Sequence, residues 1–236
     1  MQRRFPLFVA ASAAFMTIVL LADHDGLPAQ LLLGSATTLF LIVFARRSST
    51  PALQILCAIS IATAGEVVLS LGWGLYSYRH ALIPLYVPPG HGLFYLLAAE
   101  TAGQPMIRRY AAGITRGVLV SGSLIAIGSL ALYGDAWGFL WWLGALALLY
   151  FSRNKLLLSA CFGYTILLEW LGTALGNWQW ENVVPLVGLR SANPPAGVGI
   201  LYILLDLLVV AASSRIGGVA VPVSGSLTDA TAGEPA

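Results

Sequence analysis

Residues 66–78 read Glu-Val-Val-Leu-Ser-Leu-Gly-Trp-Gly-Leu-Tyr-Ser-Tyr, and residues 169–180 read Glu-Trp-Leu-Gly-Thr-Ala-Leu-Gly-Asn-Trp-Gln-Trp. Each stretch starts with an acid inside an apolar run and closes on Gly-x-aromatic-x-aromatic, Gly74 to Tyr78 in the first and Gly176 to Trp180 in the second. Outward from them the agreement continues. A loop with Pro84 or Pro185 follows, then Pro88-Pro89 or Pro194-Pro195, then an apolar run carrying Tyr95 and Glu100 or Tyr202 and Asp206. From the first proline of each pair to the acid is 12 residues in both copies. Upstream, Cys57 precedes Glu66 by nine residues and Cys161 precedes Glu169 by eight, while Arg4 to Asp23 and Arg116 to Asp135 are 19 each. These concordances predict a tandem duplication, with repeat units 1–110 and 114–215. Four helices per unit is an even number, so the copies share one orientation and are expected to be related by an axis along the membrane normal.

Of the 236 residues, 58% are hydrophobic and 9% charged, against about 25% charged in soluble domains. Such a chain cannot cover itself with polar surface and needs lipid as its main solvent. A soluble globular enzyme and a disordered chain are excluded. So is a nucleic-acid partner, because 12 basic residues face 10 acidic ones and no basic stretch exceeds a pair.

Crossing a hydrocarbon core takes roughly 20 helical residues. Eight apolar segments approach that length: about 5–22, 27–45, 52–72, 90–107, 114–133, 136–152, 156–176 and 197–214. They are continuously apolar rather than alternating, which favours helices over a barrel. The predicted fold is an all-α, polytopic helical bundle of eight transmembrane helices in two four-helix units, with residues 1–216 as one membrane domain. With a cytoplasmic N-terminus, ten basic residues fall inside: Arg3, Arg4, Arg46, Arg47, Arg108, Arg109, Arg116, Arg153, Lys155 and Arg215. Only Arg79 and Arg190 fall outside. That asymmetry predicts a bacterial-type inner membrane protein with both termini cytoplasmic. The first apolar run lacks an A-x-A-like site and is expected to stay uncleaved. Residues 217–236, rich in Gly, Ser, Thr, Ala and Pro, read as a disordered cytoplasmic tail.

The acids in outer loops are Asp23, Asp25, Asp135 and Glu181, and Asp229 and Glu234 lie in the tail. Glu66, Glu100, Glu169 and Asp206 fall inside predicted spans, where an ionisable group costs about 2.5–3.5 kcal/mol on insertion scales and no Lys or Arg is placed to pair with it. They are either neutral groups hydrogen-bonded between helices or the lining of a cavity between the two halves. Glu66 and Glu169 are expected roughly 10–13 Å below an aromatic belt, and Glu100 and Asp206 roughly 15–18 Å deep, near mid-membrane. A neutral carboxylic acid in an apolar pocket is a proton donor, the group that starts protonation of an alkene.

At 100° per residue, Glu66 is expected to share a face with Thr63, Ser70 and Trp73, and Glu169 with Thr165, Thr173 and Gly176. Tyr202 precedes Asp206 by four and lies on its side. His91, nine before Glu100, falls on the opposite face, which speaks against a His91–Glu100 metal pair. His91 is then a local hydrogen-bonding group at a helix start, or a participant in catalysis or metal binding. His24 and His80 are expected to be solvated. Trp73, Tyr76, Tyr78, Tyr86, Trp178 and Trp180 form an interface belt, or line a mouth in which a developing cation is stabilised by aromatic rings. Asn177 and Asn193 join these aromatics and Tyr202 as candidate substrate-binding residues. Catalytic candidates are Glu66, Glu169, Asp206, Glu100 and His91. No metal and no cofactor is expected. The chain lacks G-x-x-x-x-G-K-[ST], H-E-x-x-H, C-x-x-C and a histidine cluster, and its single lysine, Lys155, sits at an inner loop, which speaks against ATP use, diiron oxygenation and rhodopsin function.

An intramembrane glutamate, a W-x-[WY]-like loop and then a proline leading into the next span resembles the transmembrane lycopene cyclase domains and the bacterial carotenoid hydratases. An acid early and another late in the chain, Glu66 and Asp206, also resembles the small membrane terpene cyclases. In the lycopene cyclases acids follow the proline directly; here Gly90-His91 and Ala196-Gly197 stand there. The resemblance implies an integral membrane enzyme that protonates a lipid-soluble isoprenoid, a carotenoid or a terpene, and then cyclises or hydrates it. The residues alone leave two alternatives: a small proton-coupled transporter or permease with an acid-lined cavity, and a non-catalytic membrane subunit. The expected partners are a lipid-soluble small molecule and membrane lipid.

Overall fold

A computed structural model describes residues 5–23 and 26–217. Arg3, Arg4, His24, Asp25 and residues 218–236 of the expected tail, with Asp229 and Glu234, lie outside the described residues. The chain folds as α1 (Phe5–Ala22), α2 (Gly26–Ala45), α3 (Ala52–Glu66), which continues as a π-helical segment (Val67–Gly72), and the short strand β1 (Tyr76–Tyr78). Then follow α4 (Val87–Gly103), the one-turn α5 (Pro105–Arg109), α6 (Ala111–Tyr133), α7 (Ala136–Phe151), α8 (Lys155–Ala174), β2 (Trp178–Trp180) and α9 (Ile200–Gly217).

Six of these are long and apolar enough to cross a membrane: α1, α2, α3 with its π segment, α6, α8 and α9. The fold is an all-α bundle of membrane type. Its outer faces carry Leu7, Leu32, Leu124 and Leu132, each at least two-thirds exposed, which only a hydrocarbon solvent makes favourable. Helices α4 and α7 are shorter, at 17 and 16 residues.

Proline chemistry moves two expected boundaries. In α4 the Pro88-Pro89 pair sits in the first turn, where a missing N–H goes unnoticed, so the helix begins at Val87 rather than near residue 90. It stops at Gly103, because Gln104 precedes Pro105 and is extended (ψ 125°). After Pro194-Pro195 the backbone turns instead, and α9 starts only at Ile200. Equal spacing in sequence therefore becomes unequal depth: Glu100 is the fourteenth residue of α4 and Asp206 the seventh of α9.

Helix α4 is the centre of the bundle. Ten of its 17 residues are buried, and α1, α2, α3 and α8 pack around it. Helix α9 packs against α3, α7 and α8. At one end of the bundle the two Gly-x-aromatic-x-aromatic elements meet as an antiparallel two-stranded ladder, Tyr76 opposite Trp180, Ser77 opposite Gln179 and Tyr78 opposite Trp178. Gly74 and Gly176 enter the strands at φ +73° and +71°, left-handed values that side chains resist. Because neighbouring strand residues face opposite ways, all four rings fall on one buried face, while Ser77 and Gln179 are exposed.

The Trp178 ring lies on α8 at Gly172, where an added Cβ would come within 2.0 Å of it. Gly172→Val is expected to destabilise the folded chain by about 1–3 kcal/mol through overpacking, read as a lowered unfolding midpoint in detergent. Gly163→Val on the same helix, where a Cβ meets nothing within 4 Å, serves as the control and is expected to leave it close to native.

Candidate functional site

Beneath the ladder lies a cavity of about 280 Å³ between α1, α3, α4, α8 and α9. Its walls are apolar for most of their extent, with Phe15, Met16, Val19, Leu168, Leu204 and Leu205 among them. The polar groups that reach it are few.

Each ladder strand supplies two ring donors to the acid that precedes it in sequence. The Tyr76 and Tyr78 hydroxyls donate to Glu66 Oε2 at 2.6 and 2.7 Å. The Trp178 and Trp180 indole N–H groups donate to Glu169 Oε2 at 2.8 and 2.9 Å. Glu66 Oε1 meets His91 Nε2 at 3.1 Å, and His91 Nδ1 meets the Tyr202 hydroxyl at 3.0 Å. With Glu66 a carboxylate, His91 donates through Nε2, and in neutral imidazole Nδ1 is left to accept from Tyr202. The result is a Tyr202–His91–Glu66 chain of hydrogen bonds that joins α9, α4 and α3.

Glu169 differs from Glu66 in one respect. An indole can only donate, so Oε2 is an acceptor twice over, and a proton carried by Glu169 sits on Oε1. No described residue hydrogen-bonds that oxygen. The site thus has one acid with an unengaged oxygen and one carboxyl whose two oxygens are filled by three donors.

Ladder aromatics also respond to this charge. Burial, and the Glu66 carboxyl beside them, push the Tyr76 and Tyr78 phenols well above the usual tyrosine range. Burial and the hydrogen bond to Asp23 do the same for Tyr86, whose ring also lines the cavity.

Nine of the residues singled out from the sequence gather here: Glu66, Glu169, His91, Tyr76, Tyr78, Tyr86, Trp178, Trp180 and Tyr202. The others do not. Glu100 lies in the last turns of α4, where Ser48, Ser49 and Thr50 of the α2–α3 loop converge on its Oε1; it is part of a loop anchor. Asp206 is buried beside Tyr95 and Cys161 and does not line the cavity, and its Oδ1 has no hydrogen-bond partner. Trp73 leaves the expected Glu66 face because the π-helical segment after Glu66 widens the turn and breaks the 100° spacing. Its indole donates to the Pro185 carbonyl at 2.9 Å. Asn177 donates to the Leu20 carbonyl and to Asp23 Oδ2, and Asn193 Oδ1 accepts from the Trp180 amide. Both asparagines therefore brace loops.

Sequence reasoning placed Asp23 and Asp135 in loops and gave them no role, yet both are fully enclosed. Asp23 accepts from Gln30, Tyr86 and Asn177. Asp135 caps α7 through the Gly138 amide and takes the Ala192 and Ala196 amides and the Ser129 hydroxyl. Their equal 19-residue offsets were the available signal. His80, expected in solvent, lies 3.5 Å from Asp23 and is only partly exposed. No group of three or more metal-ligating side chains that could hold an ion occurs among the described residues.

No protein-family model, curated protein or solved structure matches this chain.

The phenol shifts give a pH prediction. Because burial and the Glu66 carboxyl disfavour the phenolate, Tyr76 and Tyr78 are expected to stay protonated where ordinary tyrosines, near pH 10, have ionised. Absorbance titration at 295 nm of the native chain and of Y76F/Y78F should then give superimposable tyrosinate amplitudes up to about pH 11. A native amplitude larger by two phenols would show that the pair is solvated.

Proposed function

We propose that the chain is an integral membrane enzyme that protonates a lipid-soluble isoprenoid, a carotenoid or terpene, and thereby starts its cyclisation or hydration. The observation that carries this reading is the unequal pair of acids in one apolar cavity. Glu169 has an unengaged oxygen positioned by two donor-only indoles, and Glu66 is bound into a His91–Tyr202 relay.

The steps follow from these groups. Glu169 delivers its Oε1 proton to a carbon–carbon double bond, which leaves a carboxylate on the protein and a tertiary carbocation on the substrate. The rings of Tyr76, Tyr78, Trp178, Trp180 and Tyr202 face the developing charge, which aromatic faces stabilise. The cation closes on an internal double bond or takes up water, and a proton is then lost. The Tyr202–His91–Glu66 relay receives it: the Tyr202 oxygen takes the proton while its own passes to His91 Nδ1, and the imidazolium rests against Glu66. The carboxylate left on Glu169 regains a proton from the relay or from water.

A cavity of about 280 Å³ is roughly twice the ~150 Å³ space that admits benzene. It suits one ring-sized end of a longer hydrocarbon. The resemblance to lycopene cyclase domains, carotenoid hydratases and small membrane terpene cyclases points to the same chemistry.

The same reading takes α4 and α7 as spans too, giving eight, in tandem units 1–110 and 114–215 within a bacterial-type inner membrane and with cytoplasmic termini. Two features support the duplication. The aligned Gly-x-aromatic-x-aromatic elements pair with each other, and each copy's acid takes two ring donors from its own strand.

Lipid extracts of cells with and without the gene, compared by mass spectrometry, test the reading. The expected difference is an isoprenoid product isomeric with its precursor or heavier by one water. Glu169→Gln should reduce that product by about a hundredfold or more, the scale of a lost general acid, with membrane insertion unchanged. Identical isoprenoid profiles with and without the gene would sink the proposal, and pH-driven solute uptake in proteoliposomes would favour the transporter instead.

A further inference from the structure

The cavity has a sign as well as a shape. Two carboxyl side chains line it, and no Lys or Arg does. Among its lining residues only His91 can carry a positive charge, and both of its nitrogens are engaged, one by Glu66 and the other by Tyr202. Negative charge in a water-poor interior requires compensation. Glu66 receives it from two phenols and the imidazole. Glu169 is about nine-tenths buried and has two indole donors on Oε2, but Oε1 takes no hydrogen bond from any described residue.

Around that oxygen the walls are aromatic. Trp178, Trp180, Tyr76, Tyr78, Tyr86 and Tyr202 all line the space. Tyr76 lies against Trp180 at a ring separation of 4.5 Å and against Tyr78 at 5.8 Å, and Tyr78 against Trp178 at 6.1 Å, so the four ladder rings form a continuous wall. Aromatic faces attract cations, tryptophan most strongly, and the attraction grows when water is excluded. Away from the rings the lining is Met16, Leu168, Leu204 and Leu208, which favours alkyl or aryl groups.

We infer that this cavity binds lipophilic ammonium ions when Glu169 is in the carboxylate form that proton delivery leaves, with the charged nitrogen beside that carboxylate and the ladder rings and the apolar substituents against the leucine wall. A stable ammonium ion carries the same unit positive charge as a tertiary carbocation on a similar alkyl frame, tetrahedral where the carbocation is planar. The inference rests on the proposed reaction for its biological sense, but binding needs no turnover and no knowledge of the natural substrate.

The probes are phenyltrimethylammonium and tert-butylbenzene, which have the same shape and differ by one unit of charge. Equilibrium binding of each is measured to the full chain in nanodiscs of zwitterionic lipid, at matched free concentrations. The expected result is saturable binding of one cation per chain, about tenfold or more tighter than the neutral isostere, the preference that a desolvated cation–aromatic contact supplies. Glu169→Gln is expected to remove that preference. Tyr164→Phe, whose hydroxyl contacts Thr101 away from the cavity, should keep it. Equal affinity for the two probes overturns the inference, as does a cation preference that survives in E169Q. Should E169Q fail to fold, the comparison of the two probes on the native chain decides the matter alone. A chain that prefers the cation but changes no cellular lipid refutes the proposed reaction and leaves this inference standing. Lipid conversion without the preference does the reverse.

Discussion

Two carboxyl groups enclosed by apolar helices need hydrogen-bond donors, and here the protein supplies them. The rest of this structure is organised by how that need is met. Among the described residues no lysine or arginine hydrogen-bonds Glu66 or Glu169; each draws two ring donors from the strand that follows it. To deliver phenol and indole groups to that depth, the loops after α3 and α8 must fold back over the bundle. They are fixed there by pairing with each other. The ladder roofs the cavity, and the rings that satisfy the acids become its walls. A hydrogen bond to a charged group contributes about 1.5–3 kcal/mol, so the four ring donors weigh heavily in holding this end of the molecule in one arrangement.

A second pair of acids does different work. Asp23 and Asp135 are also enclosed, but their oxygens are saturated by loop amides and side chains. They tie chain segments that are distant in sequence: Asp23 to Tyr86 and Asn177, and Asp135 to Ala192 and Ala196. Arg79 adds to this bracing through the carbonyls of Asp23, Leu175 and Gly176. Glu169 differs from both of these: it lines the cavity, and no described residue hydrogen-bonds its Oε1.

Much of the candidate site was legible because one short motif, an acid followed by Gly-x-aromatic-x-aromatic, occurs twice. Glu66 and Glu169 stood out because each precedes a Gly-x-aromatic-x-aromatic element, and those elements marked the rings that surround them. The misreadings have definite causes. Trp73 was assigned to the Glu66 face on a regular 100° spacing, which the π-helical segment Val67–Gly72 does not obey. Glu100 and Asp206 share a 12-residue offset from their prolines, yet α4 begins before its proline pair and α9 five residues after its own. The same offset therefore leaves Glu100 near a helix end, capped by the Ser48–Thr50 loop, and Asp206 well inside its helix and away from the cavity.

Composition and the length of the apolar runs pointed to a helical membrane bundle, since runs that are continuously apolar rather than alternating satisfy their backbone in hydrocarbon as helices rather than as a barrel. Local spacing was enough to single out the acids and the aromatic pairs. Only the tertiary structure decided which acids share a space, that His91 lies between Glu66 and Tyr202, and that one oxygen of Glu169 takes no donor among the described residues. Those facts depend on contacts between residues up to 111 positions apart. Such contacts are set by where helices begin, widen and stop, and small shifts there rotate a side chain to another face without leaving a mark in the apolar pattern.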